Sequence, residues 1–207
     1  MTSASVPRFV LPGRWGRVDL SSEASSRRSI RKIAEAATHR REELATLRAD
    51  IRERFQTAAD LAREGGAADL YIAFELANGV PLPAWLTVFQ PDIESTDFDE
   101  LGLADLKTVL DLGVTNSNEA VTSATVEDAP IHAVRQSWRR QTRAAEGEVD
   151  EVFEILEADY WLATGAPNRI ALLTFSTAYA EYEEEMLGLF DAVIKTIRWP
   201  APALVAE

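Results

Sequence analysis

Residues 160–199 read YWLATGAPNRIALLTFSTAYAEYEEEMLGLFDAVIKTIRW, and a change of hydrophobic period inside this stretch sets the fold class. From Ile170 to Thr177 apolar residues fall on both faces, Ile170 and Leu172 against Ala171, Leu173 and Phe175. Such a run predicts a central strand lying under helices. From Ala178 to Trp199 the period lengthens, with Tyr179, Tyr182, Met186, Phe190, Val193 and Ile197 stepping by three and four along one helical face. Ser176 and Thr177 read as caps of this helix. Glu181 and Glu183 to Glu185 lie near its start and Lys195 and Arg198 near its end, which suits the helix dipole, and Pro200 and Pro202 stop it.

Working back toward the amino terminus, Val149–Thr164 and Ile131–Thr142 flank Ala144–Gly147 as a hairpin, and a weak edge strand is expected around Ala120–Val126. Asp97–Gly113 reads as a short helix, with acids at its start and Gly113 at its end. Asp69–Ala77 and Ala84–Gln90, separated by Asn78-Gly79 and two prolines, form an earlier hairpin. Phe9–Leu20 contains Pro12, Gly13 and Gly16 and reads as a short bent strand. Between these strands runs a stretch from Ser26 to Glu64 with no Gly or Pro, ended by Gly65-Gly66. Ile30, Ile33, Ala37, Leu44, Leu47, Ile51, Phe55, Ala58 and Leu61 keep to one face. They predict one long amphipathic basic helix over 24–64, packed on the chain's own sheet. Arg40 and Arg54 interrupt the seam and argue against a dedicated coiled coil. Mostly sequential strands with few crossovers imply a single α+β domain over 1–207, an antiparallel sheet flanked by helices.

The YWL strand, the Pro-containing turn, Leu173-Thr174-Phe175-Ser176-Thr177 and the helix closing on Leu189-Phe190-Asp191 and Ile197-Arg198-Trp199 resemble the carboxy-terminal half of the PsbP/Mog-like group, which includes small actinobacterial proteins. Photosystem PsbP proteins, Mog-type Ran-binding import factors, DcrB-like lipoproteins and Eag-type chaperones of secreted effectors belong to that group. The close resemblance covers about a fifth of the chain and the remainder follows by element order. It implies an α/β/α sandwich, and a function in binding other proteins without catalysis. The long helix over 24–64 departs from the shorter members.

Composition narrows the chemistry. The 207 residues contain no Cys, which excludes disulfides and thiolate chemistry. No apolar run approaches the roughly 20 residues that span a bilayer, and no secretory signal is visible in Met1–Arg8. The expectation is therefore a cytoplasmic protein without membrane insertion. The formal charge of −13 is unevenly spread. Residues 1–63 carry 13 Lys+Arg against 8 Asp+Glu, whereas residues 64–207 carry 8 against 26. A net of −18 on the second part argues against nucleic acid and favours basic partners.

Catalytic and metal signatures are missing from the sequence. His39 and His132 stand about ninety residues apart, without an HExxH motif or a His/Asp cluster, and read as structural. There is no GxSxG elbow and no Gly-rich phosphate loop. No cofactor and no metal are expected. The seven acids between Glu146 and Asp159 read as the solvent face of a strand. The strongest binding character belongs to Arg135, Trp138, Arg139, Arg140 and Arg143, the residue types of interface anchors. Alternation places Arg135 and Arg139 on one face with Trp138 and Arg140 on the other. Pairing of these arginines with the acidic strand across the hairpin is the plainer alternative. The expectation is a non-enzymatic protein-binding module, an adaptor or a chaperone for a secreted effector, or an immunity-type partner of a toxin, with the helix over 24–64 offering a homodimer surface. The competing expectation is a small-molecule binder or an enzyme using carboxylates in a sheet–helix cleft.

Overall fold

The computed structural model describes residues 7–38, 45–77, 79–90, 120–143, 152–163 and 170–199. Seven antiparallel strands form one sheet: β1 (Arg14–Val18), β2 (Asp69–Glu75), β3 (Ala84–Phe89), β4 (Thr122–Thr125), β5 (Ala133–Arg143), β6 (Val152–Ala163) and β7 (Ile170–Thr177). Their spatial order is β1-β2-β3-β7-β6-β5-β4. Both hairpins, the short first strand and the β4 edge strand form as the sequence predicts, and β7 takes the middle of the sheet. The short helix expected over Asp97–Gly113 lies outside the described residues.

The last strand lies mid-sheet, and its inward row packs under the final helix. Ala171, Leu173 and Phe175 point to the face on which α3 (Glu183–Lys195) packs through Met186, Leu187, Phe190, Val193 and Ile194. Phe175 stacks on Phe190 with centroids 4.4 Å apart, and Tyr160 meets Phe175 edge-on at 5.4 Å. Ser176 is not a cap of this helix. It stays in β7, fully buried, and the chain enters α3 through a 3₁₀ turn at Ala180–Tyr182. Thr177 holds that turn by accepting from the Tyr179 N–H at 3.2 Å while donating to the Pro83 carbonyl. Tyr182, placed on the apolar stripe by its spacing, is exposed because it precedes the first full helical turn.

The single helix expected over 24–64 is two. α1 (Glu23–Ala37) starts at Ser22, whose hydroxyl accepts from the Ser25 N–H. It closes at Thr38, whose N–H and hydroxyl both donate to the Ala34 carbonyl. α2 (Ala45–Glu64) packs against α1, with Arg48 Nε donating to Thr38 Oγ1 at 2.9 Å. A straight helix of that length would reach about 62 Å at about 1.5 Å per residue, whereas the seven residues of β2 span about 23 Å. Folding the stretch in two is what lets both halves bury apolar surface on one sheet. The buried side of α2 is also turned from the expected seam: Phe55, Ala59 and Ala62 face inward, and Leu61 is exposed. The small side chain at 62 permits a closer approach than Leu61 would.

This helical pair covers Val18, Leu70 and Ile72, the opposite face of the sheet from α3. Helices therefore lie on both faces, although α1 and α2 reach only the β1–β2 side with Trp85 of β3 at their margin. Gly16 marks the closest approach. A Cβ there would stand 2.3 Å from Ile33 Cγ1 of α1. Gly16→Ala is expected to lower stability by about 1–3 kcal/mol through overpacking, read as a lower urea midpoint with an unchanged slope.

Candidate functional site

Because register partners share a face, the pairings define rows that run across the sheet. One row crosses all seven strands: Val18, Leu70, Thr87, Thr174, Asp159, Gln136 and Ser123. Its first two members lie under α1 and α2, and from β3 onward it is entirely polar. The next row runs Gly16, Ile72, Trp85, Ser176, Glu157 and Trp138. On the other side, Phe89, Leu172, Trp161, Val134 and Thr125 form a third. Two carboxylates thus sit together on the sheet face turned away from α3, among Trp85, Trp138 and Trp161.

These polar groups are not a solvent face. Gln136, Glu157, Thr87 and Ser176 are all buried. Thr174 Oγ1 donates to Asp159 Oδ1 at 2.7 Å, and Arg140 reaches Glu157 at 2.9 Å. Burial pushes the Asp159 carboxyl up to about 6. The Thr174 hydroxyl opposes that rise, and the negative charge of Glu157 adds to it. Gln136 Nε2, Ser176 Oγ and Trp161 Nε1 are buried with no hydrogen-bond partner. Unsatisfied groups of this kind cost about 1–3 kcal/mol each, and the three stand in the two rows that hold the acids and the row beside them, which makes this face the candidate site.

The sequence reading assigned these acids to solvent, and that is corrected here. β6 alternates clearly, with Leu156, Ala158, Tyr160 and Leu162 against Glu157, Asp159 and Trp161. The alternation was legible, but the burial of the polar row was not. In β7 the signal was Thr174 and Ser176 alternating with Leu173 and Phe175, which a reading of both faces as apolar passes over.

Arg135, Trp138, Arg139, Arg140 and Arg143 are not brought into one patch. Arg135 and Arg139 project toward α3, while Trp138 and Arg140 belong to the polar face, as alternation predicts. Arg135 Nη1 donates to Asp191 Oδ2 at 2.7 Å, and the Tyr160 hydroxyl donates to Asp191 Oδ1 at 2.7 Å. Arg139 bonds Glu183 at 2.7 Å and reaches Glu154 at 3.4 Å. Three of the arginines are therefore held by the chain's own acids, two of them partly across the β5–β6 hairpin. Arg143 is placed only by its backbone, opposite Val152. His132 is exposed, and His39 lies outside the described residues.

Among the described residues no group of three or more His, Asp or Glu could hold a metal ion, and no helix is long and apolar enough to cross a membrane. No protein-family model matches the chain, and neither does any curated protein.

Two outcomes follow from the geometry. Asp191→Ala strands the half-buried Arg135 and the buried Tyr160 hydroxyl, and is expected to cost about 3 kcal/mol or more in thermal denaturation. Asp159 has its folded pKa raised, so its contribution to stability is present below about pH 4 and is lost as pH rises through about 6. Arg140 and Glu157 are the charged groups beside it on this face. Asp159→Asn should therefore flatten the pH dependence between about 4 and 7 and stabilise the protein at neutral pH by about 3 kcal/mol, measured by urea titration at a series of pH values.

Proposed function

We propose that this chain is a non-enzymatic binding module of the PsbP/Mog-like kind, an adaptor or chaperone acting on another protein. The observation that carries the reading is the enclosed row of Glu157 and Asp159 with Gln136, Ser176 and Trp161 left unpartnered, a surface whose hydrogen bonding calls for a complement. The antiparallel sheet with helices on both faces agrees with the resemblance of residues 160–199. The −18 carried by residues 64–207 favours a basic partner and speeds its encounter. On this reading the partner is a secreted effector or a toxin, and the arginines of β5 hold the fold together rather than dock it.

A second reading has one specific observation in its favour. A carboxyl with its pKa near 6 beside a second carboxyl is also suited to proton transfer, as in a small-molecule binder or an enzyme using carboxylates.

The full chain should retain a stoichiometric protein partner when purified gently from its native host, and the complex rebuilt from the two purified proteins should weaken steeply with salt. Native mass spectrometry of the purified chain separates the readings: a bound small molecule with no protein partner would favour the second.

A further inference from the structure

The polar row has a charge deficit that selects its ligand. Glu157 is paired with Arg140, whereas among the described residues Asp159 has the neutral Thr174 hydroxyl as its one hydrogen-bond partner. Gln136, 7% exposed, stands opposite Asp159 in the register, and the fully buried Ser176 stands opposite Glu157. Side chains so paired have Cβ atoms about 4.5–5.5 Å apart. Gln136 Nε2 and Ser176 Oγ, both unpartnered, thus belong to the residues that stand opposite the two acids. The half-buried Trp161 follows Asp159 by two residues on the same face and carries an unpartnered indole N–H.

From this geometry we infer that the face formed by Asp159, Glu157, Gln136, Ser176 and Trp161 is a binding site for an ammonium or guanidinium group that carries a hydrogen-bond acceptor nearby.

The inference rests on the reading of the chain as a binding module and names the chemistry of its contact. A cation supplies the counter-charge that Asp159 lacks and repays the cost of burying its carboxylate. The acceptor takes the N–H groups of Gln136 and Trp161, which no bare cation can satisfy. Trp85 and Trp138 continue the row on either side of the Ser176–Glu157 pair, the residue type that best accommodates a cation. An anion would meet two carboxylates. A divalent metal would find only two, one of them already held by Arg140, far short of the six to eight oxygens calcium takes. The group has two sources, a free amine or a Lys or Arg side chain in a polypeptide whose backbone carbonyls provide the acceptor.

Calorimetric titration of the full chain distinguishes them with three probes. N-acetyl-arginine amide has the cation and the carbonyls, N-acetyl-citrulline amide keeps the shape without the charge, and butylammonium is the cation alone. The arginine probe is expected to bind at least about ten-fold more tightly than the citrulline probe, the scale of one charge-assisted hydrogen bond. Asp159→Asn should abolish that preference while remaining folded, since it removes a buried charge. Trp161→Phe should weaken the arginine probe and leave butylammonium unchanged. Butylammonium binding as tightly as the arginine probe assigns the cation site to free amines and overturns the need for an acceptor. Equal affinity for the arginine and citrulline probes, absence of binding by the arginine probe, or an unaltered preference in folded Asp159→Asn overturns the inference. If the protein partner is still captured in that case, the binding-module reading stands without this site. Cation selectivity without any protein partner leaves the site and removes the module reading.

Discussion

The stacking of Phe175 on Phe190 is the contact on which the rest of the molecule depends. It fixes which face of β7 meets α3, and with a side-chain period of two, that choice settles the facing of every residue in the strand. Through the register it propagates to β3 and β6 and then to β2, β5 and β4. One face becomes the main core, with Leu86, Val88, Leu156, Ala158, Tyr160, Leu162, Leu173 and Phe175 under the helix. The other face must then carry Thr174, Ser176, Glu157 and Asp159. A one-residue slip in β7 would put Thr174 and Ser176 beneath α3, a cost that no local preference could offset.

Polarity on the second face is distributed along the sheet rather than along the chain. Over β1 and β2 the face is apolar and lies under α1 and α2; from β3 to β4 its middle row turns polar, between rows that carry Trp85 and Trp138 on one side and Leu172, Trp161 and Val134 on the other. Trp85 stands at the changeover, packed against the helical pair and paired in register with Ser176. The same register joins Leu70 to Thr87 and then to Thr174, so a single row passes from a helix-covered core into the carboxylate cluster. Firm packing on either side gives a fixed frame to groups that are individually costly to bury.

The charge asymmetry of the chain acquires a structural meaning here. Part of the acidity of residues 64–207 is consumed internally: Asp191 and Glu183 hold Arg135 and Arg139 to α3, and Glu157 holds Arg140. The basic amino-terminal part contributes as well, with Arg14 bound to Glu75 and Arg17 to Asp69 across β1 and β2. Asp159 is different. It lies on the sheet face with a neutral hydroxyl where Asp69, Glu75, Glu157 and Asp191 each have a guanidinium, and burial without such a partner raises its pKa.

Local pattern was enough to determine the α+β class, both hairpins, the central place of β7, the β4 edge and the final helix with its dipole-matched ends, because each rests on a period or a turn within a few residues. Alternation also separated Arg135 and Arg139 from Trp138 and Arg140. Only the tertiary structure decided that residues 24–64 do not form one helix, since the reason is the width of the sheet beneath them. It also decided that beyond Phe55, which faces inward as its spacing predicts, Ala59 and Ala62 rather than Leu61 are buried. The candidate site was hidden for the same kind of reason. Glu157 and Asp159 alternate with apolar neighbours as any half-exposed strand does, and an acid on such a strand looks solvated. Burial depends on which strands lie beside it, and Gln136, Thr174 and Ser176 reach those acids only through pairings between β5, β6 and β7 that no short stretch of sequence contains.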